Sequence, residues 1–137
     1  MAGERIVKIL NAKRDEVFQA WSESGLVREW MHPGGRQLSN INMDFSPGGS
    51  FQIDLADPSG TLTHVGNFLD IKPPKSLSFT WAPLGTNSIP IQVDVTFDQV
   101  GDSTRMTIIH DYMDGDRGGR PVSFHDIANA FTRFVNK

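Results

Sequence analysis

Between Leu38 and Tyr112 the chain runs in short stretches of alternating apolar and polar residues. They are separated by Pro47-Gly48-Gly49, Asp57-Pro58-Ser59-Gly60, Pro73-Pro74-Lys75 and Gly101-Asp102-Ser103. Successive side chains of a strand point to opposite faces, and Gly, Pro, Asp and Ser supply the backbone angles or local hydrogen bonds that reverse a chain. The pattern predicts an antiparallel meander. One face collects Phe51, Ile53 and Leu55, then Leu77, Phe79 and Trp81, then Ile91, Val93, Val95 and Phe97, then Met106, Ile108, His110 and Tyr112. The other carries Gln52, Asp54, Ser78, Thr80, Gln92, Asp94, Arg105 and Thr107. One side of the sheet therefore meets water, and the other needs a cover.

The cover is expected at the C-terminus. Ser123 precedes Phe124-His125-Asp126 in the order of a helix cap followed three residues later by an acid, with Val122 and Ile127 placed as a hydrophobic staple. Phe124, Ile127, Ala128, Phe131 and then Phe134 or Val135 form one apolar stripe of a helix running to about the last residue. At the other end, Arg5–Leu10 reads as a strand, and from Arg14 the period changes to a helix with Val17, Ala20 and Trp21 on one face. A second short helix is expected over Gly25–Trp30, capped by Ser24, with Leu26, Val27 and Trp30 inward, and Pro33-Gly34-Gly35 ending it. The order is strand, two short helices, meander and terminal helix, which is α+β in one domain spanning 1–137.

The charge balance excludes several functions. Lys plus Arg is 13 and Asp plus Glu is 16, a formal net charge of −3, with no basic run to neutralise phosphates, so nucleic acid is not an expected partner. No apolar stretch is long enough for a membrane span, and insertion is not expected. The absence of cysteine removes disulfides, thiol nucleophiles and thiolate metal sites. Met1–Leu10 lacks the basic-then-apolar order of a secretory leader, which makes the cytoplasm the expected location.

Three segments together carry a family resemblance. They are Ala12 through Val17 to Trp21; Leu26-Val27-Arg28-Glu29-Trp30 with Pro33; and Met43-Asp44-Phe45-Ser46-Pro47-Gly48-Gly49-Ser50-Phe51. Gly66-Asn67-Phe68-Leu69-Asp70-Ile71-Lys72-Pro73-Pro74 leading to Leu77-Ser78-Phe79-Thr80-Trp81, and Ser103–Ile108, continue it. In this order and spacing the chain resembles the Hsp90-ATPase-activator-homologue type of START-like, Bet v 1-like, helix-grip domain. The resemblance implies a curved antiparallel sheet wrapped around the C-terminal helix, with an apolar cavity between them. Its members include lipid and hormone carriers, aromatic polyketide cyclases, antibiotic-sequestering proteins and co-chaperone modules, so fold alone does not select the function.

Candidate chemistry rests on histidines and aromatics. His110 is in phase with the apolar face of its strand, and His64 shares a face with Gly66 and Phe68, which the resemblance turns toward the cavity. Each is either a core histidine satisfied by a backbone group, or a polar fixture that orients a ligand or moves a proton. His32 follows Trp30 in a loop at the expected rim, and His125 falls outside the helical stripe and faces solvent. No pair of histidines has metal-ligand spacing, and neither a serine elbow nor a phosphate-binding turn is present. The expected pocket lining is Trp30, His32, Phe51, Ile53, His64, Phe68, Phe79, Trp81, Val93, Val95, Met106, Ile108, His110, Tyr112, Phe124, Ile127, Ala128 and Phe131.

The favoured reading is a binder of a small hydrophobic or aromatic molecule without cofactor or metal. The alternative is a cyclase- or dehydratase-type enzyme, with His64 or His110 as acid/base and Tyr112 stabilising an enolate oxygen. A chaperone-modulating protein-binding module ranks third, and a homodimer is compatible with all three. The entrance is expected beside Trp30–Pro33 or along the Asp114–Arg120 link.

Overall fold

The structure is a computed structural model that describes residues 3–84, 90–111 and 122–136. Tyr112 and the 114–120 link, an expected pocket residue and an expected rim, lie outside the described residues.

β1 (Gly3–Leu10) is followed by α1 (Arg14–Ser22) and α2 (Ser24–Trp30), then a 3-10 turn at Pro33–Gly35. The meander comprises β2 (Gln37–Met43), β3 (Ser50–Asp57), β4 (Gly60–Lys72), β5 (Ser76–Pro83), β6 (Ile91–Val100) and β7 (Ser103–Asp111), and α3 (Phe124–Val135) closes the order. The strands form one seven-stranded sheet, β1-β7-β6-β5-β4-β3-β2. Every neighbouring pair is antiparallel. The α+β helix-grip expectation holds: the sheet is curved and open, and α3 packs on its inner side. None of the described helices is long and apolar enough to cross a membrane.

The turn residues act as their chemistry predicts. In the β3–β4 hairpin, Asp57 Oδ1 accepts from the Ser59 backbone N–H at 2.8 Å and from its hydroxyl at 2.6 Å. These bonds, reinforced by Arg36 at 2.9 Å, hold the Asp57 carboxyl below its usual pKa. Curvature enters at two register shifts, between Leu38 and Asn40 in β2 and between Phe68 and Asp70 in β4. Gly66 is the other requirement, because a Cβ there would overlap the Thr80 carbonyl and the Phe51 ring. Gly66→Ala is therefore expected to cost about 1–3 kcal/mol in chemical denaturation through overpacking, and an unchanged midpoint would show that β5 yields freely.

Two local expectations are corrected. Ser24 is the first residue of α2 rather than its cap. Glu23 serves both as C-cap of α1 and N-cap of α2, so the two helices follow without a linker in which a cap could form. Leu26 is only partly buried, and Val27 and Trp30 carry the inward face. Thr107, assigned by phase to the wet face, is 5% exposed. Its outward position lies in mid-sheet between Val7 and Thr96, which cover it laterally.

At α3 the Ser123 hydroxyl accepts from the His125 N–H at 3.1 Å, and Val122 and Ile127 are both buried. Asp126 does not complete a capping box. Its carboxylate lies close against Gly34 in the 3-10 turn.

Candidate aromatic site beneath the first two helices

α1 and α2 place Trp21 and Trp30 over the sheet, with ring centroids 4.9 Å apart. The Trp30 indole N–H donates to the Ala20 carbonyl at 2.9 Å, which pins α2 against α1. Phe131 reaches the same point from α3, 4.7 Å from Trp30 and 5.4 Å from Trp21. Below them, β3 to β5 present Phe51, Phe68, Phe79 and Trp81 as a continuous layer of tilted and edge-to-face rings. Rings meeting in these orientations fill volume efficiently and gain electrostatically from edge-to-face contact.

The space expected between sheet and α3 is filled. Ile127, Ala128 and Phe131 have no exposure and Phe124 has 1%, while Val93, Val95, Met106 and Ile108 beneath are equally closed. These eight candidates are close-packed core. Among the described residues, an apolar void of about 40 Å³ lies to one side, between α1–α2 and strands β2–β5. Of the expected lining it keeps Trp30, Phe51, Ile53, Phe68, Phe79 and Trp81, and it adds Trp21, Val27, Met31 and Met43. Trp21 was legible as inward-facing from its helical phase. Val27 was legible in the same way, from the inward face expected of the second helix, whereas Met31 and Met43 carried no signal beyond being apolar.

Polar groups around this interior are few. Trp21 Nε1 and Trp81 Nε1, both on residues lining the void, have no hydrogen-bond partner among the described residues. His64 is fully buried and stacks on Trp81 at 4.7 Å with 22° between planes. Its Nε2 accepts from the Val122 N–H at 3.5 Å, so the proton of the neutral ring sits on Nδ1, which has no partner. Burial, helped by the Arg36 charge, lowers the His64 pKa to about 4. At neutral pH the ring is uncharged and a weak base, far from the matched pKa that general acid/base catalysis favours.

The remaining histidines are held by neighbours. His32 Nδ1 accepts from the Leu38 N–H at 3.2 Å and its Nε2 donates to the Arg28 carbonyl at 3.0 Å. It thereby joins the end of α2 to the start of β2 with both nitrogens occupied. His110, packed 5.4 Å from Phe124, donates from Nδ1 to the Asp111 carbonyl at 2.7 Å. Its Nε2 faces Glu4 Oε1 at 3.5 Å, and half-exposed His125 approaches the other Glu4 oxygen at 3.4 Å. Among the described residues no group of three or more such side chains could hold a metal ion.

The model for the Activator of Hsp90 ATPase homolog 1-like protein matches residues 11–132. No curated protein matches the chain. Among solved structures, protein CV1439 from Chromobacterium violaceum superposes with a TM-score of 0.80 at 14% identity, covering 98% of this chain and 97% of that one. Protein Ms6760 from Mycobacterium smegmatis gives 0.82 at 16% identity, covering 98% of this chain and 88% of that one. DynU16, a protein in the dynemicin biosynthetic locus, gives 0.72 at 22% identity, covering 98% of this chain but 47% of that one. At these identities the likeness is one of fold.

Proposed function

The chain belongs to the Activator of Hsp90 ATPase homolog 1-like family, and from that premise we propose that it binds a small, flat, largely apolar molecule bearing a hydrogen-bond acceptor, beneath α1 and α2. The observation that carries this reading is that Trp21 and Trp81, two residues lining an otherwise apolar void, each hold a buried indole N–H with no hydrogen-bond partner among the described residues. A buried donor left without an acceptor costs about 1–3 kcal/mol, which water or a ligand oxygen recovers. His64 Nδ1–H, stacked behind Trp81, is a third such donor.

A void of about 40 Å³ admits water but no aromatic ring. Ligand uptake therefore requires a wider conformation, which the ligand stabilises by its preference for it. The lining supports such a change on the side of α2. Met31 and Met43 are unbranched and adaptable, and the adjoining Gly34 and Gly35 hold positive φ values of 60° and 81°. On this reading the ligand enters beside Trp30–Pro33, one of the two entrances expected from sequence.

The test uses 1-indanone and indane, bicyclic molecules of nearly equal shape, of which only the ketone offers an acceptor. Quenching of tryptophan fluorescence should report one saturable site for 1-indanone. Trp81→Phe keeps most of the ring contact and removes the N–H. It is expected to weaken 1-indanone by about tenfold, the loss of one buried hydrogen bond, and to leave indane, followed by calorimetry, nearly unchanged. Absence of saturable binding by either molecule, together with a native mass spectrum showing only the bare chain, would overturn the proposal.

A further inference from the structure

β1 is one edge of the sheet, and its outward row, Gly3, Arg5, Val7 and Ile9, ends in two apolar residues. Val7 is 45% and Ile9 54% exposed, and Ile109, in the neighbouring strand, is 44% exposed. The opposite edge, β2, carries Gln37, Ser39, Asn40 and Asn42 instead. The Ile9 carbonyl accepts from Asn136 Nδ2 at 3.3 Å, and the Asn11 N–H donates to Asn136 Oδ1 at 2.7 Å, both beyond the end of α3. Odd-numbered residues of β1 therefore turn their backbone groups away from β7. Arg5 and Val7 share that parity, and none of the described hydrogen bonds uses their outward N–H and C=O groups. A strand edge with free backbone groups and apolar flanks is a template for another strand.

We propose that this edge pairs with β1 of a second copy of the chain, antiparallel about a two-fold axis at Ile6. Charge selects both occupant and register. To bond across the edge, odd residues must face odd residues, which leaves Glu4, Ile6, Lys8 and Leu10 facing one another in the non-bonded positions. With Ile6 opposite the partner's Ile6, each Glu4 stands opposite the partner's Lys8. Moving the register by one allowed step puts Glu4 against Ile6 or Leu10, and by two steps sets Glu4 against Glu4 or Lys8 against Lys8. Inward charges on an edge strand ordinarily discourage pairing, and here they do so in every register but one.

Lys8 has no ion pair within its own chain among the described residues, so the partner's Glu4 gives it one. Arg5 exchanges two backbone hydrogen bonds with the partner's Val7, and symmetry repeats them. Ile9 comes opposite the partner's Gly3, which has no side chain to contest the space. The interface is isologous, the same patch from both copies, and so closes as a dimer.

Sedimentation velocity of the full chain, from micromolar to high micromolar concentration, should show a monomer–dimer equilibrium. Lys8→Glu places like charges opposite each other twice and is expected to weaken the dimer about tenfold or more. Adding Glu4→Lys to Lys8→Glu reverses both charges and restores it. Val7→Pro removes an N–H on the free side of an edge strand, where proline is tolerated, and should give a folded monomer. If circular dichroism shows that the proline variant unfolds, the charge reversal alone decides. A wild type that stays monomeric throughout, or a Lys8→Glu variant that dimerises as tightly as wild type, overturns the proposal.

Discussion

Phe131→Ala is expected to lower the stability of the fold by about 3–5 kcal/mol, the usual range for truncating a buried aromatic ring. Phe131 has no exposure and packs against Trp30, Trp21 and Phe134, with centroids 4.7, 5.4 and 6.5 Å away. Its ring is the point at which α3, α1 and α2 meet, so its removal deprives three elements of contact at once. Collapse cannot recover much of this, because Trp30 is tied to the Ala20 carbonyl and cannot follow the lost ring without giving up that bond. Urea denaturation of the variant measures the loss. A change below about 0.5 kcal/mol, typical of surface positions, would mean that α3 is not docked as described.

The second large effect is a pH dependence governed by His64. In the unfolded chain its ring has the ordinary pKa of 6.5, and in the fold burial lowers it to about 4. Between these values the unfolded state binds a proton that the folded state refuses, so stability falls as pH falls. The contribution is fully present above about pH 6.5, declines through the window, and changes no further below about pH 4. A shift of this size corresponds to roughly 3 kcal/mol at most. Carboxylates of the unfolded chain begin to take up protons at the lower end of this range, so the informative quantity is the difference between wild type and His64→Gln. That difference should shrink by about 3 kcal/mol from pH 7 to pH 4. If it stays constant, His64 is hydrated and the closed interior around Trp81 is wrong.

Phase along the chain placed His110 inside, and phase together with the family resemblance placed His64 there; both are buried. Their chemical states were not legible, since they depend on Val122, Glu4 and the Asp111 carbonyl, groups brought close by strand pairing and helix docking. The acid/base alternative made the same demand on His64 as the ligand reading did, a cavity position. Its lowered pKa disfavours His64 as the acid or base, and that lowering follows from burial rather than residue type. His32 illustrates the same limit: a loop histidine at an expected rim has both nitrogens engaged by backbone groups of α2 and β2.

The sequence by itself determined the element order, the faces of β3, β5, β6 and β7, and the inward stripe of α3. These depend on periods of two and of 3.6 residues, and burying one face of each element admits few alternatives. It also determined the turns, because Gly48, Gly60 and Gly101 adopt positive φ values that other residues rarely take. Only the tertiary structure decided where space remains. The helix-grip resemblance placed a cavity under α3, yet Phe124, Ile127, Ala128 and Phe131 close that region and a void of about 40 Å³ remains beneath α1 and α2. A void is a small difference between the volume a backbone encloses and the volume its side chains fill. Here that difference is set by Trp21, Trp30, Phe51, Phe79 and Trp81, which come from three separate stretches of chain and meet only when the sheet has curved.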